Sequence, residues 1–546
     1  MNTLGTRIWD ICKNHPWLFT ALTVAAQTWF TLNNRALWFS DEVRYADAYQ
    51  NLAQHGHWMV LSLNGLPYPD KPPVYFWFLW LLDTLTPADM PTVFFLGAAL
   101  SGLLFLYASY ALARTLGFNR DISLGAVLIL LTNFFLVGLF HYSRMDLLFS
   151  AAIVGACACF FRALTNERQG PWPVAGFALA GLATLIKGPL GFIIPVMTLL
   201  LWSLWRGQPR RLFTLRFLAG LGVMLGMLTL WVLGVMLDQG PSFLLDTVIG
   251  KHVVQRATNT FHHRESLQYY FIALPLAWLP WTLFPVALPW KGLATARFWK
   301  GILRERRQEN GRRSFLWCLF LGTFVLLSSL SGKVLIYILP MFPALALLMA
   351  EPLLNLLERR SRRLWVILAS FCALMGAGLF LGADLAPLQT PVRGLALASL
   401  VLLAAGTLLY LKRNAGPKAN MLLLCLTVTA WLYPVGLLVA PSLDPAMSPR
   451  PQAELLKTFA DKGYAPMSFK TYPGIFTYYA GHQLFETGRW PELDQFLKEH
   501  DKVVLVIRKH HWEEWKDRPE DLMIINSQEI SGSTYLLVVK ENPAAH

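Results

Sequence analysis

Residues 122–164 read ISLGAVLILLTNFFLVGLF, then HYSRM, then DLLFSAAIVGACACFFRAL. Each apolar run is long enough to cross a hydrocarbon core, which takes about 20 residues. The link between them is too short for anything but a turn at a membrane surface, and it places Arg144 beside Asp146 there. Ionisable groups at that depth are costly and are kept for function or pairing. Working outward, further runs lie at 17–34, 91–113, 173–186, 188–205, 214–237, 269–290, 314–330, 334–350, 364–382, 392–411 and 421–441, and 74–82 is long enough for a half-helix. With the quoted pair this predicts thirteen spans and termini on opposite sides. Composition agrees: of 546 residues 55% are hydrophobic and 15% charged, against roughly 25% charged in soluble domains. A soluble enzyme is excluded.

The net charge of +14 is explained by topology. With the N-terminus in the cytoplasm, the inside segments hold 25 Lys+Arg against 7 Asp+Glu, while the outside loops before residue 442 hold 10 against 11. This is the positive-inside bias, and nucleic acid loses its support as a partner. Basic residues precede the first run as in a signal peptide, but no small-residue cleavage site interrupts 16–33, so a retained helix is expected. The six cysteines fall in the spans or the cytoplasmic start, so no exposed disulfide is expected. After Pro441, helical spacing at 455–463 and 491–500 alternates with β-branched runs at 502–507 and 534–539, predicting a small α/β domain over 442–546 beside a membrane domain over 1–441. No phosphate-binding Gly-rich loop and no repeat is present.

The outer ends of the spans collect polar groups. The first outside loop, 35–90, opens with Ser40-Asp41-Glu42-Val43-Arg44-Tyr45-Ala46 and closes with Tyr68-Pro69-Asp70-Lys71-Pro72-Pro73; its length predicts a partly helical cap on the membrane. Further ends supply Ser143-Arg144-Met145-Asp146, Lys187-Gly188-Pro189, His252 with Gln255 and Arg256, and Ser331-Gly332-Lys333 before Tyr337 and Pro340. Lys71, Lys187, Arg256 and Lys333 suit a phosphate leaving group, and Asp41 suits proton transfer or the steadying of a positive sugar carbon. Taken singly, each is equally an interfacial anchor or a salt-bridge partner.

In their order, the S-D-E-x-R-Y-A element, the acid-K-P-P closing the first loop, the Asp opening the fourth span, K-G between the fifth and sixth, His252 to Arg256 and S-G-K-x-x-x-Y-x-x-P resemble the GT-C membrane glycosyltransferases of the protein O-mannosyltransferase-like superfamily. The resemblance covers residues 35 to about 345 and is closest to bacterial undecaprenyl-phosphate aminoarabinose transferases acting on lipid A. It implies a mainly α, polytopic membrane fold with a small C-terminal α/β periplasmic domain, in the bacterial inner membrane with the active site periplasmic. It implies inverting transfer of a sugar, 4-amino-4-deoxy-L-arabinose in the closest relatives, from a polyprenyl-phosphate donor to lipid A or another glycolipid acceptor. By motif, Asp41 looks like the catalytic carboxylate, Arg44 and Tyr45 follow it, Lys71 and Asp146 look like the pair at the phosphate, and Lys333 with Tyr337 looks like outer cavity wall. Glu42, Asp70 and Asp146 are candidate partners for a donor amino group. The resemblance requires no cofactor. It allows a divalent metal such as zinc between Asp70 and His252, although Asp70 stands where the family usually has glutamate, and a loop hydrogen bond between the two is the plainer reading. Other sugars and acceptors, a secondary transporter or flippase, and a non-catalytic assembly factor remain open alternatives, although the sequence lacks the repeated halves common in transporters.

Overall fold

The structure is a computed structural model, described over residues 4–243, 265–288, 295, 311–382 and 392–541. Helices dominate. Six among the described residues are long and apolar enough to cross a bilayer: Met90–Thr115, Asp146–Thr165, Leu215–Gln239, Leu335–Leu354, Glu358–Gly382 and Pro417–Ser442. Shorter apolar helices are Val74–Leu85, Trp172–Lys187, Leu190–Arg206 and Leu395–Leu411. The described part of each expected run is mostly helical, but not every run is one straight span. The run 122–140 breaks into Arg120–Leu131 and Phe134–Leu139, where the Asn133 side chain accepts from Leu136 N at 2.8 Å and starts the second piece. The run 269–290, expected as a single span, is two helices, Tyr269–Ala277 and Trp281–Ala287, bent by 91°. Pro280 stands at the bend and Pro275 and Pro285 lie within the two pieces; three prolines in eleven residues remove donors that a straight helix needs.

The first outside loop is ordered. It holds the helix Asp41–His55, ended by Gly56 at φ 74°, a left-handed position suited to glycine. A hairpin follows, β1 (Leu61–Leu63) and β2 (Leu66–Tyr68). The C-terminal segment forms a five-stranded sheet of β3 (Ala465–Phe469), β4 (Phe485–Thr487), β5 (Lys502–Arg508), β6 (Leu522–Ile530) and β7 (Ser533–Glu541), in the order β4-β3-β5-β7-β6. β5 pairs parallel with β3 and antiparallel with β7. Both sheet faces are covered, which explains why β5 reads as an unbroken apolar run rather than an alternating one. Val503, Leu505 and Ile507 pack with Leu493 and Leu497 of the helix Trp490–Glu499, while Val504 and Val506 belong to the main core with Ala453 and Leu456 of the helix Arg450–Ala460. All six cysteines are free.

Candidate active site

Asp41 and Glu42 open the loop helix, where its dipole favours carboxylates. Their fates then differ. Glu42 is fully buried and is held by Arg35 at 2.8 and 2.9 Å, by Ser143 N at 2.7 Å and by Trp38 N at 2.9 Å. With four donors on two oxygens it fixes the loop, and it is not placed to meet a donor amine. Asp41 is 18% exposed and meets Arg144, whose Nη1 lies 2.5 Å from Oδ2.

Arg144 reaches a second carboxylate, its Nε donating to Asp146 Oδ2 at 3.0 Å. Lys187 pairs with the other oxygen of Asp146. Asp146 opens the helix Asp146–Thr165 and Lys187 closes the helix Trp172–Lys187, so each charge sits at the favourable helix end. The result is one chain, Asp41–Arg144–Asp146–Lys187, made by the first loop and two helix ends. Asp146 is only 2% exposed, so it orients Arg144 and Lys187 from beneath, while Arg144 and Asp41 keep 21% and 18% of their side-chain surface exposed. The Lys187 ammonium also lies 4.4 Å from the Tyr337 ring centroid, bringing the expected Tyr337 to the site.

Burial alone would raise the Asp41 carboxyl, but the cations of Arg144, Lys71, Arg44 and Lys187 together hold it below the ordinary carboxylate range. Lys71 is thereby placed in the same electrostatic neighbourhood. Four cations surround two carboxylates here, a surplus of positive charge suited to an anion with several oxygens.

Other expected residues take different places. Arg44 lies over the rings of Tyr68 and Tyr472 at 5.2 and 4.8 Å and donates to Pro473 O at 2.9 Å, so it clamps the loop helix to the C-terminal segment, with its Nη1 4.0 Å from Asp41. Tyr45 is 1% exposed, packed edge-on to Tyr75 and Phe76; its ring is core. Lys333, expected beside a phosphate and in the outer cavity wall, has a buried ammonium that donates to Glu265 O at 2.9 Å and Leu330 O at 2.6 Å, closing a turn. A buried ammonium needs such oxygens. His252 and Arg256 lie outside the described residues. Among the described residues no three His, Cys, Asp or Glu side chains gather as metal ligands, and the expected partner of Asp70, His252, is not one of those residues.

Sequence reasoning left Arg144 out of the binding set, although its place two residues before Asp146 at a span start was the available signal. It also gave no sign of the contact between the first loop and the C-terminal segment. Asp444 accepts from Ala36 N at 2.8 Å and Trp38 Nε1 at 2.7 Å, and Tyr479 Oη accepts from Leu37 N at 2.8 Å. Asn64 donates to Leu484 O at 2.7 Å and accepts from Leu484 N at 2.8 Å. The C-terminal sheet therefore sits on the same face as Asp41 and braces the loop that carries it.

This architecture, apolar helices topped by an ordered first loop and a small sheet, is that of the GT-C membrane glycosyltransferases. The crystal structure of ArnT from Cupriavidus metallidurans bound to undecaprenyl phosphate superposes with a TM-score of 0.76 at 21% identity, covering 97% of this chain and 98% of that one. The family profile described as Dolichyl-phosphate-mannose-protein mannosyltransferase matches residues 70–233. The undecaprenyl phosphate-alpha-4-amino-4-deoxy-L-arabinose arabinosyl transferase of Pectobacterium carotovorum is 31% identical over 394 residues, 69% of this chain and 67% of its own length. A second relative of that name, from Proteus mirabilis, is 30% identical over 327 residues, 59% of this chain and 56% of its own length. The chain belongs to the family of undecaprenyl phosphate-aminoarabinose arabinosyl transferases.

Proposed function

We propose that this chain is an inverting glycosyltransferase that moves 4-amino-4-deoxy-L-arabinose from undecaprenyl phosphate to a phosphate of lipid A or a related glycolipid. Thirteen spans carry it through the bacterial inner membrane, with the N-terminus cytoplasmic and the site periplasmic. Residues 1–441 form the membrane domain and 442–546 the periplasmic one. Family membership supports the donor. The observation that carries the mechanism is the Asp41–Arg144–Asp146–Lys187 chain with Lys71 close by.

In this reading an acceptor phosphate oxygen attacks the anomeric carbon, the bond from that carbon to the undecaprenyl phosphate oxygen breaks, and the electron pair leaves with the lipid phosphate. Lys71, Arg144 and Lys187 stabilise the charge on that leaving group. No proton has to move. Asp41 fits such a step because a carboxyl held below its ordinary range is a weak base: it suits an already ionised acceptor better than a hydroxyl, and it steadies positive charge on the sugar ring. The periplasmic side holds no nucleotide sugar, consistent with a lipid-linked donor. The proposed step runs through no metal ion.

The test is reconstitution of the purified protein with undecaprenyl phosphate-linked aminoarabinose and lipid A, read by mass spectrometry. A pentosamine increment on lipid A, lost in Asp41→Asn, is expected. An unmodified lipid A with another glycolipid carrying the sugar would overturn the acceptor, and no transfer to any glycolipid would overturn the enzyme reading.

A further inference from the structure

At the far end of the helix Asp146–Thr165 lies a second polar site. The helix has 20 residues, so about 30 Å separates its two ends at 1.5 Å per residue, one hydrocarbon thickness. An open cavity of about 520 Å³ there is lined by Glu167, Arg168, Gln169, Arg210, Arg211, Thr214, Leu215 and Arg216. It is a constructed feature. Gln169, 8% exposed and at φ 54°, donates to Arg211 O at 2.9 Å and accepts from Thr214 Oγ1 at 2.8 Å, tying the turn after one helix to the start of the helix Leu215–Gln239. Arg211 donates to Leu164 O. The side chains of Arg168, Arg210 and Arg216 make no hydrogen bond or ion pair among the described residues, although Glu167 shares the cavity.

Four forked guanidinia around one carboxylate select an anion with several oxygens, and phosphate is the best match. The walls beside the cavity say what else the ligand carries. Leu215, which lines the cavity, is 81% exposed, and its chain neighbours Phe213 and Leu218 are 83% and 63% exposed. Only 17% of the apolar window of Leu215–Gln239 is buried within the protein. A phosphate seated on the arginines thus has exposed apolar surface beside it, starting at Leu215 in the lining itself, and a free ion would leave that surface unused.

We propose that this cavity binds the phosphate headgroup of an anionic glycerophospholipid from the leaflet opposite the Asp41 site, with the acyl chains along Phe213, Leu215 and Leu218. Basic pockets between membrane helices are suited to such headgroups. The bound lipid joins the 166–171 turn to the 209–214 turn.

The full-length protein in detergent is titrated with phosphatidylglycerol, cardiolipin or phosphatidylcholine and read by native mass spectrometry. The anionic lipids are expected to be retained over phosphatidylcholine, and Arg210→Gln with Arg216→Gln to weaken their retention at least about tenfold. Glu167→Gln, which removes the one carboxylate of the lining, is expected to strengthen it, a gain that misfolding would not produce. Equal retention by the wild type and the double variant, or equal retention of phosphatidylcholine, overturns the proposal. So does a thermal shift produced by millimolar inorganic phosphate with none from the lipids, which would make this a site for the free anion.

Discussion

Arg144 holds two carboxylates at once, and its geometry explains why Asp41 stays charged. Asp41→Asn keeps the side-chain shape but removes the charge that pairs with Arg144; in the reconstituted assay transfer is expected to fall about a hundred- to ten-thousandfold, with the protein still folded and its melting temperature at neutral pH lowered by the lost pairing. In the proposed step Lys71→Ala is expected to lower kcat as well as raise KM for the lipid-linked donor, because the negative charge its ammonium meets grows as the phosphate leaves. Asp47 gives a pH signature of the opposite sign to Asp41. Burial raises its carboxyl to about 6 despite the hydrogen bond from Asn64 N, and Glu486 adds to the rise. A carboxyl raised in the folded state contributes stability that is complete below its unfolded value near 3.9 and is lost as pH rises through about 6. Asp47→Asn should therefore raise the melting temperature at pH 7.5 and change it little at pH 4. For Asp41, held low, the pairing is stabilising above the unfolded value and fades only as pH falls below the ordinary carboxylate range.

At the scale of elements, the first loop depends on partners far along the chain. Asn64→Ala removes two buried hydrogen bonds to Leu484 and is expected to cost about 1–3 kcal/mol, with faster amide exchange across 41–68 and reduced transfer. Unchanged exchange would mean that the C-terminal sheet does not brace the loop. What was legible in the sequence follows from the same physics. Lipid confines ionisable side chains to span ends, so Asp41, Lys71, Asp146 and Lys187 stood out by position, and apolar runs marked the helices. Which cation meets which carboxylate was not legible, because those pairs join distant segments: Glu42 is captured by Arg35 and Ser143, Lys333 by two carbonyls, and Arg144 by two acids. The bend at Pro280 escaped because a run of apolar residues reports depth in lipid and says little about direction. In the tail, β5 and β7 were visible as β-branched runs, whereas β3 and β4 are short and contain Pro466 or polar residues.

For the whole molecule, two charged surfaces lie about a hydrocarbon thickness apart, one gathering the proposed chemistry and the other the arginine cavity. Of the long apolar helices, Leu215–Gln239, Glu358–Gly382 and Pro417–Ser442 leave most of their apolar windows unburied within the protein, so the assembly is expected to lose activity in proportion to delipidation, checked by transfer rate against residual lipid per protein. The bonds from Ala36 and Trp38 to Asp444 span 408 and 406 residues of chain. A ribosome adding about 5–20 residues per second delivers Asp444 roughly 20–80 seconds after Ala36. During that interval the loop helix lacks its brace. The segment that carries Asp41 is thus made early and braced late, and under the proposed function transfer activity is expected only after the segment around Asp444 has been made.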